Sequence, residues 1–271
     1  MEPPKRIKVI DILQKHNLFA KKSFGQNFLK NDQPVIDIVK AADVNKKDTV
    51  IEVGPGLGIL TQELAKNAKK VISLELDQTL LPLLDDVLKE YPNVEILNQD
   101  ALKFIPPKIA YKVVANIPYN ITSHLINHFL QTENPPISMT LLVQKEVAEK
   151  ICILEPDMTV LSLQIALFGQ AKYVKKVPSA YFHPQPKVDS AIIHIALYDK
   201  KNPNYLTRER ALKILRIAKT CFSNRRKKLS NTLPPEYHEQ AKKSGIDLSR
   251  RPETLSTQEW AAIYPGDTSL Q

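Results

Sequence analysis

The segment TVIEVGPGLG, residues 49–58, decides the fold. Thr49 to Val53 is a short apolar run, interrupted only by Glu52, of the kind that forms a strand covered on both faces. Gly54, Gly56 and Gly58 follow at once, and helix formers continue through Ala68. Strand, glycine turn and helix in direct succession make a βα unit. Its turn lets backbone N–H groups approach a ligand at the mouth of a helix.

The same alternation extends outward. Residues 33–43 carry Val35, Ile36, Ile38, Val39 and Ala42 at helical spacing. KVISLEL (70–76), NVEILNQD (93–100), YKVVAN (111–116) and ISMTLLVQ (137–144) read as further strands. A Leu-rich helix from about 78 to 90 and another over 121–130 fall between them. Such alternation predicts right-handed crossovers and a mainly parallel sheet. After residue 144 the rhythm changes. Residues 159–168 are apolar, 172–177 is short and extended, and 188–198 partly alternates, which predicts antiparallel strands added to the sheet. KKNPNYL (200–206) is polar, and from Thr207 helical patterns dominate, broken by Pro234, Pro235, Gly245 and Pro252. The expected organisation is an α/β domain over 1–198 and a small all-α basic domain over 199–271.

Charge sharpens that division. The 271 residues hold 38 Lys and Arg against 29 Asp and Glu, a net of +9. Residues 200–251 alone hold fifteen basic against four acidic side chains, so the rest of the chain is slightly negative. A basic segment on a near-neutral body predicts a surface facing a polyanion. Cys152 and Cys221 suit neither a disulfide framework nor a metal site. MEPPKRIKVIDIL has no continuous apolar stretch of the signal-peptide kind, and no run approaches the ~18 apolar residues of a membrane helix. A cytoplasmic protein without membrane contact is expected. His124 and His128 are four apart, but no acidic or Cys residue joins them in the pattern, so a packed or surface pair is expected and no metal.

Three carboxyl and amide positions fall at predicted strand ends. Glu75 lies 21 residues after Gly54, where an acidic group accepts hydrogen bonds from ribose hydroxyls. Asp100 ends the third strand, where a carboxylate can meet an adenine amino group. The glycine loop reads GxGxG with Glu52 just before it, whereas the dinucleotide fingerprint is GxGxxG. That difference favours S-adenosyl-L-methionine over a nicotinamide cofactor.

The fourth strand ends in Asn116-Ile117-Pro118-Tyr119, which is similar to the (N/D)-P-P-(Y/F) motif of methyltransferases acting on exocyclic amino groups of bases. The residue types suit the chemistry. The N6 nitrogen of adenine is a poor nucleophile because its lone pair is delocalised into the ring. The Asn116 amide oxygen and the Ile117 carbonyl, accepting its two N–H bonds, favour a pyramidal nitrogen with an available lone pair. Tyr119 offers an aromatic face to a base taken out of its stack, a contact worth ~1–3 kcal/mol in single-strand binding.

With these in order, nearly the whole chain resembles the ribosomal RNA adenine N6-dimethyltransferase family. Ser23-Phe24-Gly25-Gln26-Asn27-Phe28-Leu29 is similar to its N-terminal motif, which implies that Asn27 and Leu29 line the cofactor pocket with Gly54, Gly56, Glu75, Asp100 and Asn116. Gln144-Lys145-Glu146-Val147-Ala148 matches a further stretch. Phe182-His183-Pro184-Gln185-Pro186-Lys187-Val188-Asp189-Ser190 resembles the FxPxPKVDS segment, implying that Phe182 pairs with Tyr119 around the target base. Cys221 to Leu229, with Arg225, Arg226, Lys227 and Lys228, resembles a basic helix of the housekeeping small-subunit branch, implying RNA binding there. One departure stands out: Pro156 to Ser162 replaces a YGRLS-like stretch, which bears on that loop's RNA contacts. The resemblance implies a Rossmann-like sheet, S-adenosylmethionine as methyl donor, and the precursor of the small ribosomal subunit with its 16S rRNA as partner, met by a monomer. Two adjacent adenines near the RNA 3′ end would be dimethylated during assembly. A large-subunit enzyme of the macrolide-resistance type, a nicotinamide dehydrogenase and a catalytically silent assembly factor are the alternatives.

Overall fold

The computed structural model describes residues 8–153 and 157–266. The leading MEPPKRI, Pro156 of the departing loop and residues 267–271 lie outside them. The chain forms two compact units, Met1–Ala148 with Lys172–Ala196 and Glu149–Ala171 with Leu197–Gln271.

In the first unit, α1 (Val9–Lys15) and the two-residue β1 (Phe28–Leu29) precede α2 (Gln33–Ala42). Then come β2 (Thr49–Val53), α3 (Ile59–Asn67), β3 (Lys70–Glu75), α4 (Leu81–Leu88), β4 (Val94–Asn98), β5 (Lys112–Asn116), α5 (Thr122–Gln131) and β6 (Ser138–Gln144). After α6 (Lys145–Cys152) and α7 (Val160–Phe168), β7 (Gly169–Val177), β8 (Phe182–His183) and β9 (Ser190–Leu197) follow. The main sheet has the order β4-β3-β2-β5-β6-β9-β7. β2 pairs in parallel with β3 on one side and β5 on the other, and β9 runs antiparallel to β6. The parallel strands and the antiparallel addition both follow the sequence pattern. The chain order reverses between β2 and β5, and the carboxyl ends of strands at such a switch point are where ligands bind in open α/β sheets.

The central strands are dry because they are covered on both faces. Val50, Ile51, Val113, Val114, Leu141 and Leu142 are all fully buried. α2 and α3 contribute Ile38 and Leu64 to one buried cluster that also takes Leu29 and Phe182.

The second unit contains α8 (Arg208–Phe222), α9 (His238–Lys243) and α10 (Thr257–Ile263) together with α7. Its core joins Leu163 and Leu167 of α7 to Ile214, Leu215 and Ala218 of α8 and Trp260 of α10, with Phe222 stacked on Trp260 at 5.9 Å. The expected boundary at 198 falls beside Leu197, but residues 149–171 belong to this unit as well. The cause is local: the apolar run of α7 meets α8 within one core, whereas the sequence pattern shows only that the run is apolar. Thr159 and Ser162 cap α7 reciprocally, and Ser256 and Glu259 do the same for α10.

Candidate active site

The loops at the carboxyl ends of β2, β3, β4 and β5 line one cleft of about 1180 Å³, its open mouth included. Residues 23–29 form the remaining wall. Asn27, Leu29, Gly54, Gly56, Glu75, Asp100, Asn116, Ile117, Pro118 and Tyr119, all expected at a site, line this one cleft.

The glycine loop is shaped by close approaches. Gly56 sits at φ +57°, where a side chain is strained, and a Cβ there would lie 3.2 Å from the Phe28 ring. Gly58 sits at φ +77°, with Val87 of α4 only 3.0 Å from where its Cβ would be. The first lets the N-terminal motif fold over the loop; the second lets α4 pack under the start of α3.

Glu75 ends β3 and is 6% exposed. Its Oε1 accepts the Asp77 N–H at 2.7 Å and its Oε2 the Gly56 N–H at 3.4 Å. Burial pushes its carboxyl pKa up, against those two N–H groups, which pull it down. Asp100 Oδ1 accepts the Leu102 N–H at 2.9 Å, an arrangement that turns the chain as it leaves β4. Glu52, two residues before Gly54 on β2, is fully buried and accepts the Ser73 hydroxyl at 2.6 Å. Loss of solvent pushes its carboxyl up to about 7.

Asn116 ends β5. Its Nδ2 donates to the Asn27 carbonyl at 3.4 Å, which leaves Oδ1 as the accepting end of the amide. Asn27 in turn donates from its own side chain to the Gly25 carbonyl at 3.0 Å. The Ile117 side chain is buried and anchors the backbone of the tetrapeptide, while a short turn closes where Ile121 N–H donates to the Pro118 carbonyl at 3.2 Å. Tyr119 is half-buried and shares a 2.6 Å hydrogen bond with the Ser190 hydroxyl. Burial raises its phenol pKa, partly offset by that bond.

Two expectations need correction. Phe182 does not line the cleft: β8 pairs with β1, Leu29 opposite Phe182, and the ring is fully buried in the cluster around Ile38. No face of it is presented to a base. Arg225, Arg226, Lys227 and Lys228 are all exposed, as a polyanion-facing set requires, but they do not lie on a helix. α8 ends at Phe222, and the four follow in a turn and an extended link. Arg225 lies over the Phe222 ring at 6.0 Å and donates to the Met158 carbonyl at 3.4 Å. Of the two spaced histidines, His128 is engaged by backbone: its Nε2 lies 2.9 Å from the Phe104 carbonyl.

Sequence reading gave no role to Lys21, Gln26, Asp77 and Ser190. Asp77 accepts from Lys21 Nζ at 2.7 Å and Gln26 Nε2 at 2.8 Å, tying the N-terminal motif to the loop after β3. Burial alone would raise the Asp77 carboxyl pKa, but the bonds from Lys21, Thr79 and Gln26 outweigh it and hold the group below the usual carboxylate range. The acidic residue two positions beyond Glu75 was the available signal.

Known proteins bear on this arrangement. The model of the ribosomal RNA adenine dimethylase family matches residues 17–265. A Dehalococcoides mccartyi protein named ribosomal RNA small subunit methyltransferase A is 40% identical over 267 residues, spanning 93% of this chain and 90% of the relative. The crystal structure of the 23S rRNA methyltransferase ErmE is similar with a TM-score of 0.72 at 28% identity, over 88% of this chain and 98% of that one. A dimethyladenosine transferase from Plasmodium falciparum gives a TM-score of 0.71 at 27% identity, over 87% and 95% of the two chains. By sequence over nearly its full length, and by the fold built around the cleft, the chain belongs to the ribosomal RNA adenine dimethylase family.

Proposed function

We propose that the protein transfers methyl groups from S-adenosylmethionine to N6 of two adjacent adenines near the 3′ end of 16S rRNA, giving N6,N6-dimethyladenines on the small-subunit precursor. The observation that carries this reading is the accepting end of Asn116 beside Tyr119, at the end of β5, on the rim of a cleft that also holds Glu75 and Asp100. The relative named for the small subunit is 40% identical, against 28% for ErmE, which favours the small-subunit substrate.

The cleft fits the methyl donor. Glycines at 54 and 56 leave backbone where side chains would stand, and nothing lies within 4 Å of the place a Cβ would take at Gly54. Glu75 would hold the ribose diol through its remaining lone pairs and Asp100 an adenine amino group through its second carboxylate oxygen, while Asn27, Leu29 and Asn116 would line the rest of the pocket. When bound, the donor supplies a methyl group made electrophilic by a positive sulfur. The chain's own residues act on the other partner. Asn116 Oδ1 and the Ile117 carbonyl accept the two N6–H bonds and orient the lone pair, and Tyr119 stacks on the extruded adenine. The proton released from the methylated nitrogen passes to water. Arg225, Arg226, Lys227 and Lys228 hold phosphates of the RNA, and the basic helical region over 199–271 is the ribosome-contacting part. In this reading the protein works as a monomer in the cytoplasm.

Labelled S-adenosylmethionine, incubated with the protein and under-methylated small subunits or large subunits in parallel, tests the reading. Label is expected in small-subunit RNA. Label confined to the large subunit would assign the macrolide-resistance activity instead.

A further inference from the structure

The segment ending in Val188-Asp189-Ser190 does not act on a base through Phe182, which is buried. Its last residue does reach a side chain of the cleft. We propose that Ser190 is a positioning residue for the methyl transfer: its hydroxyl keeps the Tyr119 ring from swinging away from the place where the target adenine stacks. The proposal rests on the reading of Tyr119 as the base platform.

The geometry gives the ring two fixed ends. At the backbone, Tyr119 sits in a short turn, its carbonyl accepting the Thr122 hydroxyl at 3.2 Å. At the far end, its phenol oxygen is 2.6 Å from Ser190 Oγ. An aromatic ring held only at Cβ swings about χ1; one held also at its phenol oxygen cannot swing away without breaking a bond to a buried hydroxyl. Ser190 is itself firmly placed. It is fully buried and opens β9 opposite Gln144 of β6. The preceding Asp189 accepts the Ser179 N–H at 2.9 Å, pairs with Lys176 at 2.8 Å and accepts the Lys145 N–H on its carbonyl at 2.9 Å. The stop for the ring is therefore built on the sheet and not on a mobile loop, which is how a preorganised contact keeps its geometry.

The test compares Ser190→Ala, Tyr119→Phe, the double variant and Tyr119→Ala, using under-methylated small subunits and a short target RNA with 2-aminopurine at one target adenine. Ser190→Ala and Tyr119→Phe each remove the same bond. Each is expected to lower kcat about three- to tenfold, the range a net hydrogen bond supports, and to weaken quenching of 2-aminopurine. KM for the subunit and affinity for S-adenosylmethionine should stay within about twofold. The double variant should be no slower than the slower single one, because the pair acts as one unit. Wild-type kcat in folded Ser190→Ala, or a double variant slowed by the product of the two single effects, would overturn the proposal. If Ser190→Ala does not fold, Tyr119→Phe carries the test from the half-buried side, and wild-type kcat there overturns it equally. Tyr119→Ala separates the two readings: near-complete inactivity beside a wild-type Ser190→Ala sinks only the role of Ser190, whereas full activity sinks the base platform itself.

Discussion

The Glu75 carboxylate accepts the backbone N–H of Gly56 at 3.4 Å, so the acid at the end of β3 holds the glycine loop that follows β2. One group thus shapes the loop and offers its remaining lone pairs to the cleft. Glu75→Ala should raise the dissociation constant for S-adenosylmethionine at least tenfold, since hydrogen bonds to a charged group net ~1.5–3 kcal/mol and ~1.4 kcal/mol is a factor of ten. Glu75→Gln keeps one acceptor and should fall between. Unchanged calorimetric affinity in Glu75→Ala would remove the residue from the site.

In the proposed reaction Asn116 acts on the reacting amino group. Asn116→Ala should leave affinity for the small subunit nearly intact while methyl transfer falls about 10²- to 10³-fold, the ~2.7–4 kcal/mol typical of an oriented polar group acting in the transition state. Because its amide also holds the Asn27 carbonyl, some loss of donor affinity is expected, and turnover is therefore measured at saturating donor. Near-wild-type turnover under those conditions would contradict its assigned role.

Glu52 makes stability depend on pH. Burial raises its pKa from 4.5 to about 7, so the folded chain holds this proton more tightly than the unfolded chain does. Below pH 4.5 both states are protonated and nothing is lost; as pH rises towards 7 the unfolded chain ionises first and folding stability declines; above 7 the loss is complete. The difference corresponds to about 3 kcal/mol. Glu52→Gln removes this dependence, so urea melts at pH 5 and pH 8 should differ by about 2–3 kcal/mol less in the variant than in the wild type. Equal differences in the two proteins would show that Glu52 is not the titrating group.

The basic turn is exposed at all four positions, so its charges are available to phosphate. Each phosphate neutralised adds roughly 0.7–0.9 to the slope of log affinity against log salt. Replacing Arg225, Arg226, Lys227 and Lys228 together with Gln should flatten that slope by about three and leave S-adenosylmethionine binding alone. Filter binding over a salt series reads the slope, and a melt run alongside reports any loss from the Arg225 contacts with Phe222 and Met158. An unchanged slope in a folded variant would move RNA docking to another surface.

Much of the cleft was legible because its chemistry sits at strand ends. Gly54, Glu75, Asp100 and Asn116 each follow an apolar run, and a parallel sheet necessarily brings such ends to one edge. What escaped depends on contacts between distant segments. β1 and β8 are two residues each, too short to leave a periodicity, yet their pairing buries Phe182. The Tyr119–Ser190 bond spans 71 positions and the Lys21–Asp77 bond 56, and neither has a local signal. Arg225 to Lys228 carried a helical reading from the family resemblance, but α8 stops at Phe222 and the next residues turn. The apolar run of α7 announced burial without saying which core would take it, and that core is the one built around α8.

Nucleoside mass spectrometry of small-subunit RNA after incubation with the protein and S-adenosylmethionine, starting from under-methylated particles, tests the central claim most directly. Two N6,N6-dimethyladenines per particle, on adjacent positions near the 3′ end, are expected, with none gained by large subunits treated in parallel. Dimethyladenine appearing only in large-subunit RNA, or no methylated adenine in either from protein that binds the donor, would contradict it.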